Sequence, residues 1–99
     1  MNSHDIFVEN KFRQVSKLIP ENSKILDIGC GDGNIRNFLK NPDYYGIDGD
    51  KDLIVELNKQ KVKAKWADLN KDKLAFKKDK FDFFFYWMFW NMWLIQRNL

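Results

Sequence analysis

Val8, Phe12, Val15 and Ile19 recur at spacings of three and four, the period of one helix face, and predict a helix from Ile6 to Ile19 that Pro20 stops. Lys24 to Ile28 is a short apolar run that meets a glycine cluster, which predicts a buried strand entering a tight turn. Asn34 to Leu39 supplies a short helix. After the turn at Asn41-Pro42-Asp43, the run Tyr44-Tyr45-Gly46-Ile47-Asp48 predicts a second strand that ends on a carboxylate. Leu53, Ile54 and Leu57 then place a helix over Lys51 to Gln60, Val62 to Trp66 forms a third strand, and a fourth begins at Phe81.

Strands that alternate with helices imply an α/β fold with a parallel sheet and right-handed crossovers. Such doubly wound sheets bind ligands beyond the carboxyl ends of their strands, where Gly29, Asp48 and Asp68 fall in this sequence. With 99 residues the chain has room for one small domain. No repeat or linker divides it.

Composition changes this picture little. The net charge of +3, from 17 basic and 14 acidic residues, favours solubility and points to no nucleic-acid partner. Lysines 71, 73, 77, 78 and 80 read as a solvated loop. Cys30 is the single cysteine, which excludes an internal disulfide and a multi-cysteine zinc site and suits a reducing cytoplasm. The first residues, Met1-Asn2-Ser3-His4-Asp5, lack the basic-then-apolar pattern of a secretion signal. The one strongly aromatic stretch is broken by Asp82 and Asn91 and is shorter than the roughly 20 apolar residues of a membrane-spanning helix.

The candidate chemistry lies in Asp27-Ile28-Gly29-Cys30-Gly31-Asp32-Gly33-Asn34. Glycines between a strand and a helix admit positive φ angles and let a ligand approach a backbone that carries no Cβ. A dinucleotide fingerprint would need its third glycine at position 34, where Asn34 stands, so a nicotinamide or flavin oxidoreductase fits poorly. Asp48 follows the first glycine by about 20 residues at a strand end, the place from which a carboxylate accepts hydrogen bonds from both ribose hydroxyls. Asp32 reads as a cap for the helix that follows, and Cys30 as a small residue tucked into the turn, since the only histidine is His4.

An acidic residue followed by Gly-x-Gly-x-Gly resembles the first motif of class I S-adenosylmethionine-dependent methyltransferases, and the similarity runs from about Asn22 to Phe84. The resemblance implies a Rossmann-like sheet of about four strands in the order 3-2-1-4, incomplete beside the seven strands of the family. It places the methionine part of the cofactor beside Asp27, Gly29, Gly31 and Gly33, and the adenine amino group at Asp68, with Leu69 offering backbone and an apolar face. Cys30 and Gly49, flanking these positions, complete the expected cofactor set with Asp48 as the ribose ligand. No metal is implied, the acceptor is expected to be a small molecule, and methionine-pathway relatives fit. A silent module that binds S-adenosylmethionine or supports assembly is the alternative. Residues 1–20 are then the leading helix, 22–83 the cofactor-binding half and 84–99 an aromatic tail.

That tail departs from the family. Nine of the thirteen residues from Phe81 to Trp93 are Phe, Tyr or Trp, an unusual density for a solvated surface. Back-translation of Phe83 to Trp93, read two bases later, gives two Phe-or-Leu positions and then Leu-Leu-Asp-Val-Leu-Glu, His or Tyr, and Val. This resembles the motif expected after the fourth strand, so the coding sequence is expected to have shifted frame within the thymine-rich run that encodes Phe83 to Phe85. A chain that ended soon after its fourth strand would leave that strand as an unpaired edge prone to self-association, and would lack turnover. The nucleotide sequence through that run tests the frame. The shifted frame should stay open and encode further alternating strands and helices, and an early stop codon there refutes the shift.

Overall fold

The computed structural model describes residues 3–70, 80–89 and 92–97. The leading helix α1 covers Ser3–Ser16, and its turn closes with Leu18 N–H donating to the Val15 carbonyl and Ile19 N–H to that of Ser16. Pro20, which has no N–H and restricts the residue before it, prevents continuation. Phe12, Val15 and Ile19 are buried, as their spacing predicts, and the Phe12 ring packs 5.5 Å from that of Phe38.

Strand β1 (Lys24–Ile28) lies at the centre of the sheet. It pairs in parallel with β2 (Asp43–Asp48), from Lys24 opposite Asp43 to Ile28 opposite Ile47. It also pairs in parallel with β4 (Phe83–Phe89), from Ile25 opposite Phe83 to Ile28 opposite Tyr86. Strand β3 (Ala64–Trp66) adds in parallel to the outer side of β2. These four strands have the order 3-2-1-4 of an incomplete Rossmann-like sheet. Alternate residues of β1 and β4 serve opposite faces. Ile25, Tyr44, Phe83 and Phe85 join Phe12, Val15, Ile35, Ile54 and Leu57 on one side, while Leu26, Ile28, Ile47, Ala67 and Phe84 cluster on the other. Burial of both faces explains why β1 reads as an apolar run rather than an alternation.

Helix α2 (Lys51–Lys59) starts where Asp50 accepts hydrogen bonds from the N–H groups of Asp52 and Leu53 at 2.9 and 3.3 Å. This caps the helix and places negative charge at its positive end. Asn34–Phe38, expected as a short helix, is a 3₁₀ turn that Gly33 enters in the left-handed conformation. Asp32 accepts from Asn34 N–H at 3.0 Å. Of the lysine-rich stretch only Lys80 lies among the described residues, and it is exposed.

Strand β3 begins at Ala64 rather than Val62, and two expectations about the fourth strand are also corrected. Strand β4 begins at Phe83 rather than Phe81, because Asp82 is occupied in joining β4 to β1. Its carboxylate accepts from Lys24 N–H, and its own N–H donates to the Lys24 carbonyl, both at 2.8 Å. Nor is β4 an unpaired edge. A fifth strand, β5 (Met92–Arg97), runs antiparallel along it from Phe83 opposite Arg97 to Phe89 opposite Met92, so among the described residues β5 and β3 are the edges. No helix among the described residues is long and apolar enough to cross a membrane.

Candidate cofactor-binding site

Strands β1, β2 and β3 run parallel, so their carboxyl ends meet at one edge of the sheet and bring together the loop after Ile28, Asp48 and the segment after Trp66. Backbone bonds fasten them. The N–H groups of Gly29 and Cys30 both donate to the Ile47 carbonyl, at 2.8 and 2.9 Å, and Ala67 N–H donates to the Asp48 carbonyl at 3.1 Å.

In the loop, Gly31 and Gly33 have φ angles of 57° and 68°. Other residues adopt this left-handed region at a steric cost. A Cβ built on Gly31 would have open space around it, whereas one on Gly33 would come within 3.1 Å of both Arg36 Nε and the Tyr44 hydroxyl. The loop is therefore open above Gly31 and filled below Gly33.

Asp48 ties the loop to the second strand. One carboxylate oxygen accepts from Gly31 N–H and the other from Asp50 N–H, each at 2.8 Å. An ionised carboxylate has about four acceptor positions, so these two bonds leave capacity for the hydroxyls of a ribose. The open space above Gly31 and the remaining acceptor capacity of Asp48 fit a nucleoside-bearing cofactor. Gly49 follows at the strand end, Asp68 accepts from Asn70 N–H at 3.0 Å, and Leu69 is exposed beside it. Among the described residues no cluster of His, Cys, Asp and Glu side chains could hold a metal ion.

Asp27 and Cys30 occupy a different layer. Asp27 has no exposed surface and its carboxylate accepts a 2.5 Å hydrogen bond from the Tyr44 hydroxyl. Cys30 turns its thiol inward, where a Cβ added to Gly46 would lie only 2.9 Å from Sγ. Both side chains sit beneath the loop while the glycines and Asp48 form its upper surface. Burial, reinforced by the charges of Asp27 and Asp48, pushes the Cys30 thiol up to about 12. Burial and the neighbouring Asp27 push the Tyr44 hydroxyl far above its usual range.

Sequence reading missed Tyr44, Arg36 and Gly46. The signal for Tyr44 was Asp27 itself, a carboxylate inside an apolar strand that needs a buried partner. Gly46 stands opposite Asp27 in the register, where the absent side chain leaves room for Tyr44 and Cys30. Arg36 Nε donates to the Gly33 carbonyl at 2.8 Å, and its guanidinium lies 5.9 Å from the centre of the Tyr44 ring.

These shifts set a pH dependence. Both groups keep their protons more tightly when folded, so their contribution to stability is complete below the ordinary thiol value and is lost as pH rises. For Cys30 the window runs from 9.0 to about 12. Thermal melts should show a midpoint falling across that window, and Cys30→Ser should flatten the early part of the fall. An unchanged slope in the variant overturns the assignment.

The comparisons with known proteins agree with this architecture. Residues 9–88 match the family described as methionine biosynthesis protein MetW. No curated protein matches the chain. A TehB-like S-adenosylmethionine-dependent methyltransferase from Corynebacterium glutamicum is similar in structure, with a TM-score of 0.61 and 30% identity, over 73% of this chain and 40% of that one. The PH0226 protein from Pyrococcus horikoshii shares the fold at a TM-score of 0.59 and 21% identity, over 83% of this chain and 42% of that one. A coclaurine N-methyltransferase, whose structure holds N-methylheliamine and S-adenosylhomocysteine, shares it at 0.54 and 19% identity, over 78% of this chain and 25% of that one. The chain thus spans less than half the length of each of these proteins. It belongs to the MetW family and has the fold of the class I S-adenosylmethionine-dependent methyltransferases.

Proposed function

We propose that this chain binds S-adenosylmethionine at the carboxyl edge of β1, β2 and β3, as the cofactor half of a methyltransferase that acts on a small-molecule acceptor. The observation that carries this reading is the joint between Asp48 and Gly31, which makes the ribose-facing carboxylate and the open glycine loop one unit. Gly29, Gly31 and Gly33 present backbone to the methionine part, with Cys30 contributing its main chain. Asp48 and Gly49 meet the ribose, and Asp68 and Leu69 meet the adenine. Asp27 supports the loop from below through Tyr44. Once bound, the cofactor supplies an electrophilic methyl group to a nucleophile on the acceptor. The contribution of these residues is to hold that group at a fixed position at the edge of the sheet.

On this reading the cofactor half binds without turnover by itself. The antiparallel return of β5 supports this, because a helix and a further parallel strand are expected at that place. It also supports a change of frame in the tail from about Phe84, and the family match ends inside that tail. A silent S-adenosylmethionine-binding module is the second reading favoured by the same hairpin. We place the protein in the cytoplasm, in keeping with its one reduced, buried cysteine.

Titration calorimetry tests the cofactor site. S-adenosylhomocysteine and S-adenosylmethionine should both bind, Asp48→Asn should weaken each by at least about tenfold, equivalent to about 1.4 kcal/mol, and the wild-type chain should transfer no methyl group. Absence of binding at millimolar ligand removes the proposal. Self-association is proposed through the outer edge of β5, whose backbone groups have no neighbouring strand among the described residues. Sedimentation velocity should reveal a species that grows with protein concentration, and a single monomeric boundary throughout would count against it.

A further inference from the structure

Trp66 ends β3 directly opposite Asp48 in the register, yet 40% of its surface is exposed. A large apolar side chain on a three-residue edge strand gains little from burial there, so its polar contact carries the meaning. The indole Nε1 donates a 2.8 Å hydrogen bond to the Gly49 carbonyl. That carbonyl belongs to the same peptide unit as the Asp50 N–H, which donates to Asp48 Oδ1 at 2.8 Å. In a trans peptide the C=O and N–H point in opposite directions. Trp66 therefore grips one side of the unit while Asp48 uses the other.

Without that grip the peptide could rotate, and Gly49 makes rotation easy because it lacks a Cβ. Rotation would take the Asp50 N–H away from Asp48 and release one oxygen of the carboxylate. Lys51 adds to the arrangement. As the first residue of α2 it opposes the positive end of the helix, and its ammonium lies 4.6 Å from the centre of the Trp66 ring, where the ring face attracts it. Two independent contacts, one polar and one cationic, thus hold the indole over the turn that carries Asp48.

We infer that Trp66 is a positioning residue that locks the Gly49–Asp50 peptide and thereby fixes the Asp48 carboxylate for the ribose hydroxyls of the cofactor. The inference rests on Asp48 as the ribose ligand in the reading above. Trp66→Phe keeps the ring and removes only the N–H. It should weaken S-adenosylhomocysteine binding by about fivefold, the worth of one ordinary hydrogen bond. In an Asp48→Asn background the same change should cost less than about twofold, since a residue acting through Asp48 has nothing left to position.

Binding within twofold of wild type, or an equal loss in both backgrounds, overturns the inference. A wild-type chain that binds no S-adenosylhomocysteine removes the cofactor reading but leaves the lock itself measurable. In the ligand-free protein the Asp50 amide should exchange with solvent at least about fivefold faster in Trp66→Phe than in wild type. Unchanged exchange refutes the lock. Should the variant lack a cooperative melt, wild-type exchange decides: an Asp50 amide or a Trp66 indole N–H exchanging at the rate of an unfolded chain overturns it.

Discussion

A carboxylate buried in the central strand governs how the glycine loop is built. Asp27 has no contact with solvent, and leaving such a group unpartnered costs several times what an ordinary surface hydrogen bond contributes. Tyr44 meets it from the neighbouring strand, and for the hydroxyl to arrive Gly46 must have no side chain. The same vacancy receives the Cys30 thiol, so the first residue of the loop after Gly29 is seated by the second strand rather than by its own. Gly33 is closed from beneath by Tyr44 and Arg36 in the same way. The loop is thus packed at Gly33 and Cys30 and open at Gly31.

The upper surface depends on Asp48. Its two oxygens already hold the N–H groups of Gly31 and Asp50, so under the proposed function the ribose meets a carboxylate whose direction is set before binding. Preorganisation of this kind lowers the ordering that binding would otherwise require. Loop, strand end and helix cap follow one another closely here. Asp48 fixes Asp50, and Asp50 in turn caps α2 with its side chain. Three short segments therefore behave as one rigid edge, although each alone would be a mobile connection.

How much of this the sequence disclosed depended on whether a feature was local. Lys24 to Ile28 was legible because a strand buried on both faces has to be apolar throughout, and Phe12, Val15 and Ile19 were legible from their helical spacing. The start of the third strand was not. Lys61 takes a φ of 63° and Val62 N–H still bonds back to Leu57, so the chain is leaving α2 where its composition suggests a strand, and pairing begins only at Ala64. The glycine loop and Asp48 could be placed from spacing, but the bond joining them is a contact across 17 residues, and no periodicity reports it. Tyr44 looked like an ordinary strand residue for the same reason. Asp82 looked like an interruption in an aromatic run, whereas in the fold it exchanges two hydrogen bonds with Lys24 and sets where β4 begins.

The least legible feature was the pairing of the tail, because an edge is a property of the assembled sheet. A parallel neighbour for β4 would need a crossover of a dozen residues or more, whereas an antiparallel one needs only a short reversal. The hairpin of β4 and β5 satisfies the outer backbone groups of β4 by the second route and transfers the open edge to β5. It also extends the sheet. Ile28, the last residue of β1, stands opposite Tyr86, and β4 continues to Phe89 before β5 returns from Met92. The hairpin backbone therefore continues past the carboxyl end of β1, where the glycine loop begins. At this edge the glycine loop, tied to β2 through Asp48, therefore lies beside a paired strand that continues beyond it, rather than beside an open one.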